Sequence, residues 1–436
     1  MSIGVIIGED GGRLAPHRLR AAVLGEMHAR PFTAIETPRR VLHFAFDTTE
    51  RAEADRAALA EFCTKRGLAA PAPGSKQHRV AIGGTALRWE QHSEFTTYTW
   101  ELPAEGAHAP FDPPATGLAA AMALVPQPGP LMVAVDLHLL ADPESRLAPE
   151  RLFDRASLAA AENSDGTALY ATDFQADPAG FVRVLVIDRG LGAERAGALV
   201  QRVLEIETYR TLALLGLPEA QRLAPSVRRI ETRLGELTQA MERSEGLAAN
   251  HRLLDDLTAL AAELEAGAAA SLFRFGASRA YSEIVSLRLA TIGERKVGGL
   301  PTWSSFLARR MAPAMRTCAT MEERQANLSR KLSRAAQLLR TRVDLELEEQ
   351  NRDLLRSMNE RTRLQLRLQA TVEGLSVAAI SYYVVGLFGY LVKGAHDSGA
   401  PVEPTMATAA FVPVAVLAIW WVVRRIRRRH VGKEAE

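Results

Sequence analysis

The sequence predicts an α+β body with a mainly antiparallel or mixed sheet, then a helical stalk, then a two-helix transmembrane hairpin at the C-terminus. Three observations carry this. Residues 374–392 (GLSVAAISYYVVGLFGYLV) and 406–423 (MATAAFVPVAVLAIWWVV) hold no Asp, Glu, Lys, Arg or His. Residues 317–370 hold neither Gly nor Pro. Outside those two uncharged segments, short runs rich in β-branched and aromatic residues stop at about residue 218.

The predicted body covers residues 1–217. Residues 40–46 (RVLHFAF), 131–139 (LMVAVDLHL) and 181–187 (FVRVLVI) read as strands, and residues 88–102 as a further strand or hairpin. Residues 50–66 and 192–215 read as helices, the first stopped by Gly67 and the second by Gly216 and Pro218. Loops are marked by Pro71, Pro73 and Gly74 and by residues 103–114, and Gly83-Gly84 by its composition is a turn.

A helical region is predicted over 218–316. Val227, Ile230, Leu234, Leu237 and Met241 recur at steps of three and four, and Leu253, Leu254, Leu257, Leu260 and Leu264 resume after a break near Gly246. Tyr281, Ile284, Val285 and Leu289 continue the pattern up to Gly293, and Pro301-Thr302-Trp303 opens a short helix. The stalk, 317–373, carries Met321, Leu328, Leu332, Leu339, Val343, Leu347, Leu354 and Met358 in heptad-like steps with a stutter near Val343. Packing against the preceding helices and self-association as a coiled coil both account for this stripe.

The hairpin occupies 374–423, with spans at 374–392 and 406–423. At ~1.5 Å per residue each span reaches roughly 27–29 Å, close to the hydrocarbon core of a bilayer. Arg361, Arg363 and Arg367 precede the first span, and Arg424, Arg425, Arg427, Arg428 and Arg429 follow the second in a basic tail over 424–436. The thirteen-residue connection, 393–405, has Lys393 as its one Lys or Arg. By the positive-inside rule both termini of a multi-pass protein are expected on the cytoplasmic side of the membrane. Residues 1–12 contain no secretory leader pattern. In the spans, Ser381, Tyr382 and Tyr383 with Gly386 and Gly389 offer either close helix packing or a polar pore lining.

Composition narrows the function classes. A net charge of +2 does not predict a nucleic-acid partner, and the terminal arginines read as lipid-headgroup contacts instead. Cys63 and Cys318, far apart and without CxxC spacing, predict neither a disulfide framework nor a cysteine zinc site. No GxxxxGK[ST], GxGxxG, HExxH or GxSxG motif occurs, so no cofactor is called for and an enzyme is not expected.

Three polar groups remain as candidates. Glu26, His28 and Arg30 end a predicted helix, where the cations complement the dipole or bind an anionic ligand. Glu90, His92 and Glu94 would share one face of a continuous strand, either as a solvated surface or as a divalent-metal site. Asp136 and His138 alternate with Val133, Val135, Leu137 and Leu139, which sets them together on the other face of their strand.

The strings EMHARPF (26–32), WEQHSEFTTYTW (89–100), EIETYRTLALLGLP (205–218) and TVEGLSVAAISYYVVGLFGYLVKG (371–394) resemble a bacterial family of uncharacterised, membrane-anchored proteins of unknown function. That resemblance implies an anchor and no particular activity. The layout is also similar to that of magnesium/cobalt channels with a Gly-Met-Asn signature, which are pentamers. Here the matching position reads Phe388-Gly389-Tyr390-Leu391, so Met and Asn are replaced. Two functions are therefore expected as alternatives: a bilayer-tethered interaction or sensing module, homo-oligomeric through stalk and hairpin with an unknown protein partner, or a divalent-cation channel or transporter of the same layout.

Overall fold

The structure, a computed structural model, describes residues 17–20, 23–24, 32–104, 110–112, 127–141, 148–399 and 401–431, with side chains through Arg425. Its strands are β1 (Arg39–Asp47), β2 (Gln77–Ile82), β3 (Thr85–Gln91), β4 (Phe95–Pro103), β5 (Leu131–Ala141), β6 (Ala159–Glu162), β7 (Ala168–Ala176), β8 (Val182–Asp188) and β9 (Arg295–Lys296). Its helices are α1 (Ala52–Lys65), α2 (Ala193–Leu214), α3 (Gly216–Arg243), α4 (Leu247–Ile292), α5 (Trp303–Asp397) and α6 (Pro404–Val431).

All nine strands form one sheet in the order β2-β3-β4-β1-β5-β8-β7-β6-β9. Seven of its neighbouring pairs are antiparallel, and β5–β8 alone is parallel. The mixed sheet expected from the sequence is thus present, with long helices after it and two apolar helices at the end. Alternation along each strand builds two faces. Val41 and Ala45 of β1, Val133 to Leu139 at every second residue of β5, and Val184 and Val186 of β8 face one way. They are covered by α2, by Tyr281 to Ile292 of α4 and by Trp303 to Met311 of α5. The opposite face holds two separate apolar groups, one around Leu42, Trp89, Trp100 and the α1 residues Leu59 and Phe62, the other around Phe153, Leu169, Leu185 and Ile187.

The chain divides into two compact units, residues 1–239 with 256–335, and residues 240–255 with 336–436. In the first, the sheet and α2 are joined by helical residues whose stripe, Val227, Ile230 and Leu234 on α3, Leu257 and Leu264 on α4, Met321, Leu328 and Leu332 on α5, is buried. Gly216 sits where α3 starts against α4 and α5: a Cβ there would meet Ser278 Oγ at 2.5 Å and Cys318 Sγ at 3.0 Å. Pro218 falls in the first turn of α3, where its missing N–H costs no helical bond, so the helix resumes where the sequence predicts a stop. Likewise α5 is a single helix from Trp303, running through Pro313, rather than a short helix followed by a stalk. Burial of Met311, Ala314 and Cys318 beside that proline offsets its lost hydrogen bond.

In the second unit, Leu339 and Val343 are buried, Asn250 Nδ2 donates to Glu346 Oε1 at 2.7 Å, and Arg342 Nη1 donates to the Met241 carbonyl at 2.9 Å. Beyond Glu346 the cover ends: Leu347, Leu354, Met358, Leu368 and Val372 are all exposed. The stripe therefore packs within the chain up to the stutter and is open after it. The last part of α5 and α6 are each long and apolar enough to cross a membrane. They touch through stacked Phe388 and Phe411, ring centroids 3.9 Å apart, and Gly389 lies beside Thr408, where an added Cβ would make an ordinary contact at 3.7 Å.

Candidate functional site

The candidate centre lies on the sheet face between the two smaller apolar groups. It is made by three strands in register. Arg40 of β1 opposes His138 of β5, and Asp136 of β5 opposes Arg183 of β8. Arg40 donates to Asp136 through Nε to Oδ1 at 2.9 Å and through Nη2 to Oδ2 at 2.6 Å. All three of Arg40, Asp136 and His138 are buried. Burial works to raise the Asp136 pKa, but His138 and Arg40 outweigh it and hold the carboxyl below its ordinary value. His138 Nε2 approaches Asp136 Oδ1 only at 3.5 Å and makes no shorter hydrogen bond. Phe111, in a left-handed backbone conformation at φ 65°, sets its ring 4.7 Å from the His138 ring. The Arg183 guanidinium lies over Phe111 at 5.4 Å and over Phe153 at 5.7 Å. The Asp136–His138 pairing was legible in the alternation of β5. Arg40 and Arg183 were not singled out, although Arg183 is the one charged residue before Asp188 in an apolar strand, and a half-buried charge there needs a reason.

The opposite face carries a second polar layer under α2. His43 is buried between Thr99 Oγ1 at 2.8 Å from Nδ1 and Thr208 Oγ1 at 2.9 Å from Nε2. Thr208 donates its own proton to the Leu204 carbonyl, so it accepts from His43 Nε2–H and Nδ1 is the acceptor. Burial, helped by the nearby Arg88 charge, lowers the imidazole pKa to about 3. Arg88 donates to Gln201 Oε1 at 3.1 Å. These groups knit α2 to β1, β3 and β4.

Glu90, His92 and Glu94 do not share a strand face, because β3 ends at Gln91 and the chain turns before β4 starts at Phe95. Glu90 lies beside Arg88, with Arg88 Nε 3.9 Å from its Oε2. His92 stacks on Phe95, ring centroids 4.1 Å apart, and meets Tyr209 edge-on. Glu94 accepts from Arg274 Nη2 at 2.6 Å and from the Tyr281 hydroxyl, so it clasps α4 to the hairpin turn. Among the described residues no three His, Cys, Asp or Glu gather in a way that could hold a metal ion. The rest of the WEQHSEFTTYTW string is also structural: Trp89 Nε1 and the Tyr98 hydroxyl both donate to Asp55 of α1, at 2.9 and 2.5 Å.

Glu26, His28 and Arg30 lie outside the described residues. The segment just after them is docked tightly: a Cβ on Gly197 of α2 would lie 1.8 Å from the Thr33 carbonyl oxygen, and Ile35 N donates to the Ala193 carbonyl at 2.9 Å. In the hairpin, Ser381 is buried with no hydrogen-bond partner for its Oγ, and Gly389 faces α6. Tyr382 and Tyr383 point outward, and Gly386 has open space where a Cβ would be. Arg424 and Arg425 lie over the Trp420 and Trp421 rings at 4.8 and 4.9 Å. Arg427, Arg428 and Arg429 belong to α6, with side chains outside the described set.

No curated protein and no solved structure matches the chain. Residues 15–430 match the family model described as protein of unknown function (DUF3422), and the chain belongs to that uncharacterised family.

Proposed function

We propose that the chain is a membrane-tethered interaction or sensing module of the bacterial inner membrane, with its α+β body and both termini on the cytoplasmic side. The observation that carries this reading is the outward face of the two terminal helices. Tyr382 and Tyr390 are 78% and 79% exposed, Leu375 and Leu391 74%. A buried hairpin of a water-soluble protein would hide such residues, and their uncharged, bilayer-length surroundings favour lipid as the cover. Arg424 and Arg425 beside Trp420 and Trp421 fit an inner interface, where aromatic rings and cations both find partners. Carbonate washing of membranes is the first test, and loss of the full chain into the supernatant would sink the tether. Reporter fusions then test orientation, with an external signal expected in the connection at 393–405 and an internal one after Glu436.

Self-association is the second part of the proposal. The exposed seam Leu347, Leu354, Met358, Leu368 and Val372 follows heptad positions with Asn351, Arg361 and Gln365 between, and a second copy of the same helix is its natural cover. Mass measurement in nanodiscs is expected to give an oligomer. Conduction is the alternative reading, motivated by the buried, unpartnered Ser381 hydroxyl. A single hairpin encloses no pore, so this requires the oligomer and predicts divalent-cation flux in liposomes.

A further inference from the structure

Arg183 is the member of the β1–β5–β8 cluster for which the described residues supply no anion. The neighbouring carboxylate, Asp136, is already gripped by Arg40 with two hydrogen bonds. Arg183 Nε is buried and makes no hydrogen bond, and no carboxylate among the described residues pairs with the guanidinium. His138, only 6% exposed, has an equally buried Nε2 with no hydrogen-bond partner. Both groups converge on the ring of Phe111, one at 4.7 Å and the other at 5.4 Å. Buried donors are ordinarily matched by acceptors, and exceptions ask for an explanation. Among the described residues the Arg183 guanidinium lies beside a carboxylate, Asp136, that Arg40 already holds, so the acceptor suited to it is an anion rather than a neutral group. Phe111 and Phe153 shield part of the half-buried guanidinium from solvent, which strengthens any ion that binds there.

We infer that Arg183 and His138 form a binding site for a small free oxyanion, a phosphate or a carboxylate, with Phe111 as its apolar wall and the Arg40–Asp136 pair as its fixed floor. This deepens the reading of the α+β body as a sensing module and rests on it, but not on the membrane tether. Arg183 supplies a planar donor fork suited to two oxygens, and His138 supplies a single N–H in the tautomer protonated at Nε2. Arg40 is already spent on Asp136, so it positions the carboxylate without needing to touch the ligand.

The test is equilibrium dialysis of the full chain in neutral phosphatidylcholine nanodiscs, with inorganic phosphate and acetate as separate probes at constant ionic strength in chloride. Saturable binding of one of the two, at one site per chain, is expected, and the preferred probe tells phosphate from carboxylate. Arg183→Gln is expected to weaken it about 10- to 100-fold, as loss of a charge-assisted hydrogen bond does. Arg316→Gln, an exposed arginine elsewhere, is expected to leave it unchanged. Absence of saturable binding for both anions, or undiminished binding by Arg183→Gln, overturns the inference. If Arg183→Gln fails to fold, Arg183→Lys decides: it keeps the charge and loses the fork, so affinity equal to wild type counts against the site. None of these outcomes bears on carbonate extraction, which tests the tether alone.

Discussion

Arg40 and Asp136 face each other across the β1–β5 seam in a two-pronged ion pair, with both partners buried. Removing one partner leaves the other charged and without water, which costs about 3–5 kcal/mol. Arg40→Met is therefore expected to lower the denaturation midpoint strongly, whereas Arg40→Met with Asp136→Leu recovers most of the loss. Denaturant titration of the full chain in detergent, followed by tryptophan fluorescence, reads both. Asp136 also sets an acid limit. Its folded pKa is depressed, so its contribution is present above the ordinary carboxylate value of 3.8 and fades as pH falls through the lower folded value.

His43 predicts a different pH window. Its folded pKa of about 3 lies below the ordinary 6.5, so the unfolded chain binds the proton first. Its share of stability is full above pH 6.5 and declines as pH falls towards 3, at up to about 1.4 kcal/mol per pH unit. His43→Gln keeps a donor and an acceptor for Thr208 and Thr99 but does not titrate. Denaturation midpoints measured between pH 7 and 4 are expected to slope less in that variant.

Gly197→Ala is expected to undock the segment around Thr33. A methyl group 1.8 Å from a backbone oxygen forces the main chain to move, at a cost of about 1–3 kcal/mol or more. Hydrogen exchange of the Ile35 amide, which donates to Ala193, reports the change locally. Protection unchanged from wild type would contradict the close approach.

Glu94→Ala removes the carboxylate shared by Arg274 and Tyr281 and leaves both donors short of a partner. With Arg274 partly exposed, about 2–4 kcal/mol is expected. Because Glu94 is engaged by Arg274 and Tyr281, chelators are expected to leave the wild-type midpoint where it is.

Phe388→Cys with Phe411→Cys is expected to cross-link under mild oxidation in membranes, because the two rings stack at 3.9 Å. Tyr382→Cys with Phe411→Cys is expected not to, since Tyr382 faces away. Native Cys63 and Cys318 give little background: both are buried, and burial raises both thiol pKa values.

Much of this fold was legible in the sequence where side-chain chemistry and local preference agree. The runs at 40–46, 131–139 and 181–187 became β1, β5 and β8 within two residues, and Gly83-Gly84 turns β2 into β3. The strands β6 and β7 were not, because Ala159-Ala160-Ala161 and the alanines of 168–176 have little intrinsic strand preference. Their strand state is imposed by packing against Phe153, Leu185 and Ile187, a tertiary fact. The candidate centre divides in the same way. Asp136 and His138 are two positions apart on one strand, so alternation joins them. Arg40 is 96 residues from Asp136 in sequence, and no local pattern reveals such a pairing.

Glu294 caps the start of α5, accepting from Trp303 N at 3.1 Å and Ser304 N at 2.8 Å, while the Trp303 indole is fully enclosed against Tyr170 and Phe174. The last pieces of the main core thus arrive after residue 300. During synthesis, a nascent chain carries an unfinished sheet out of the ribosome until this tryptophan emerges. Only afterwards do the two apolar terminal helices follow, so every residue that completes the main core is made before them.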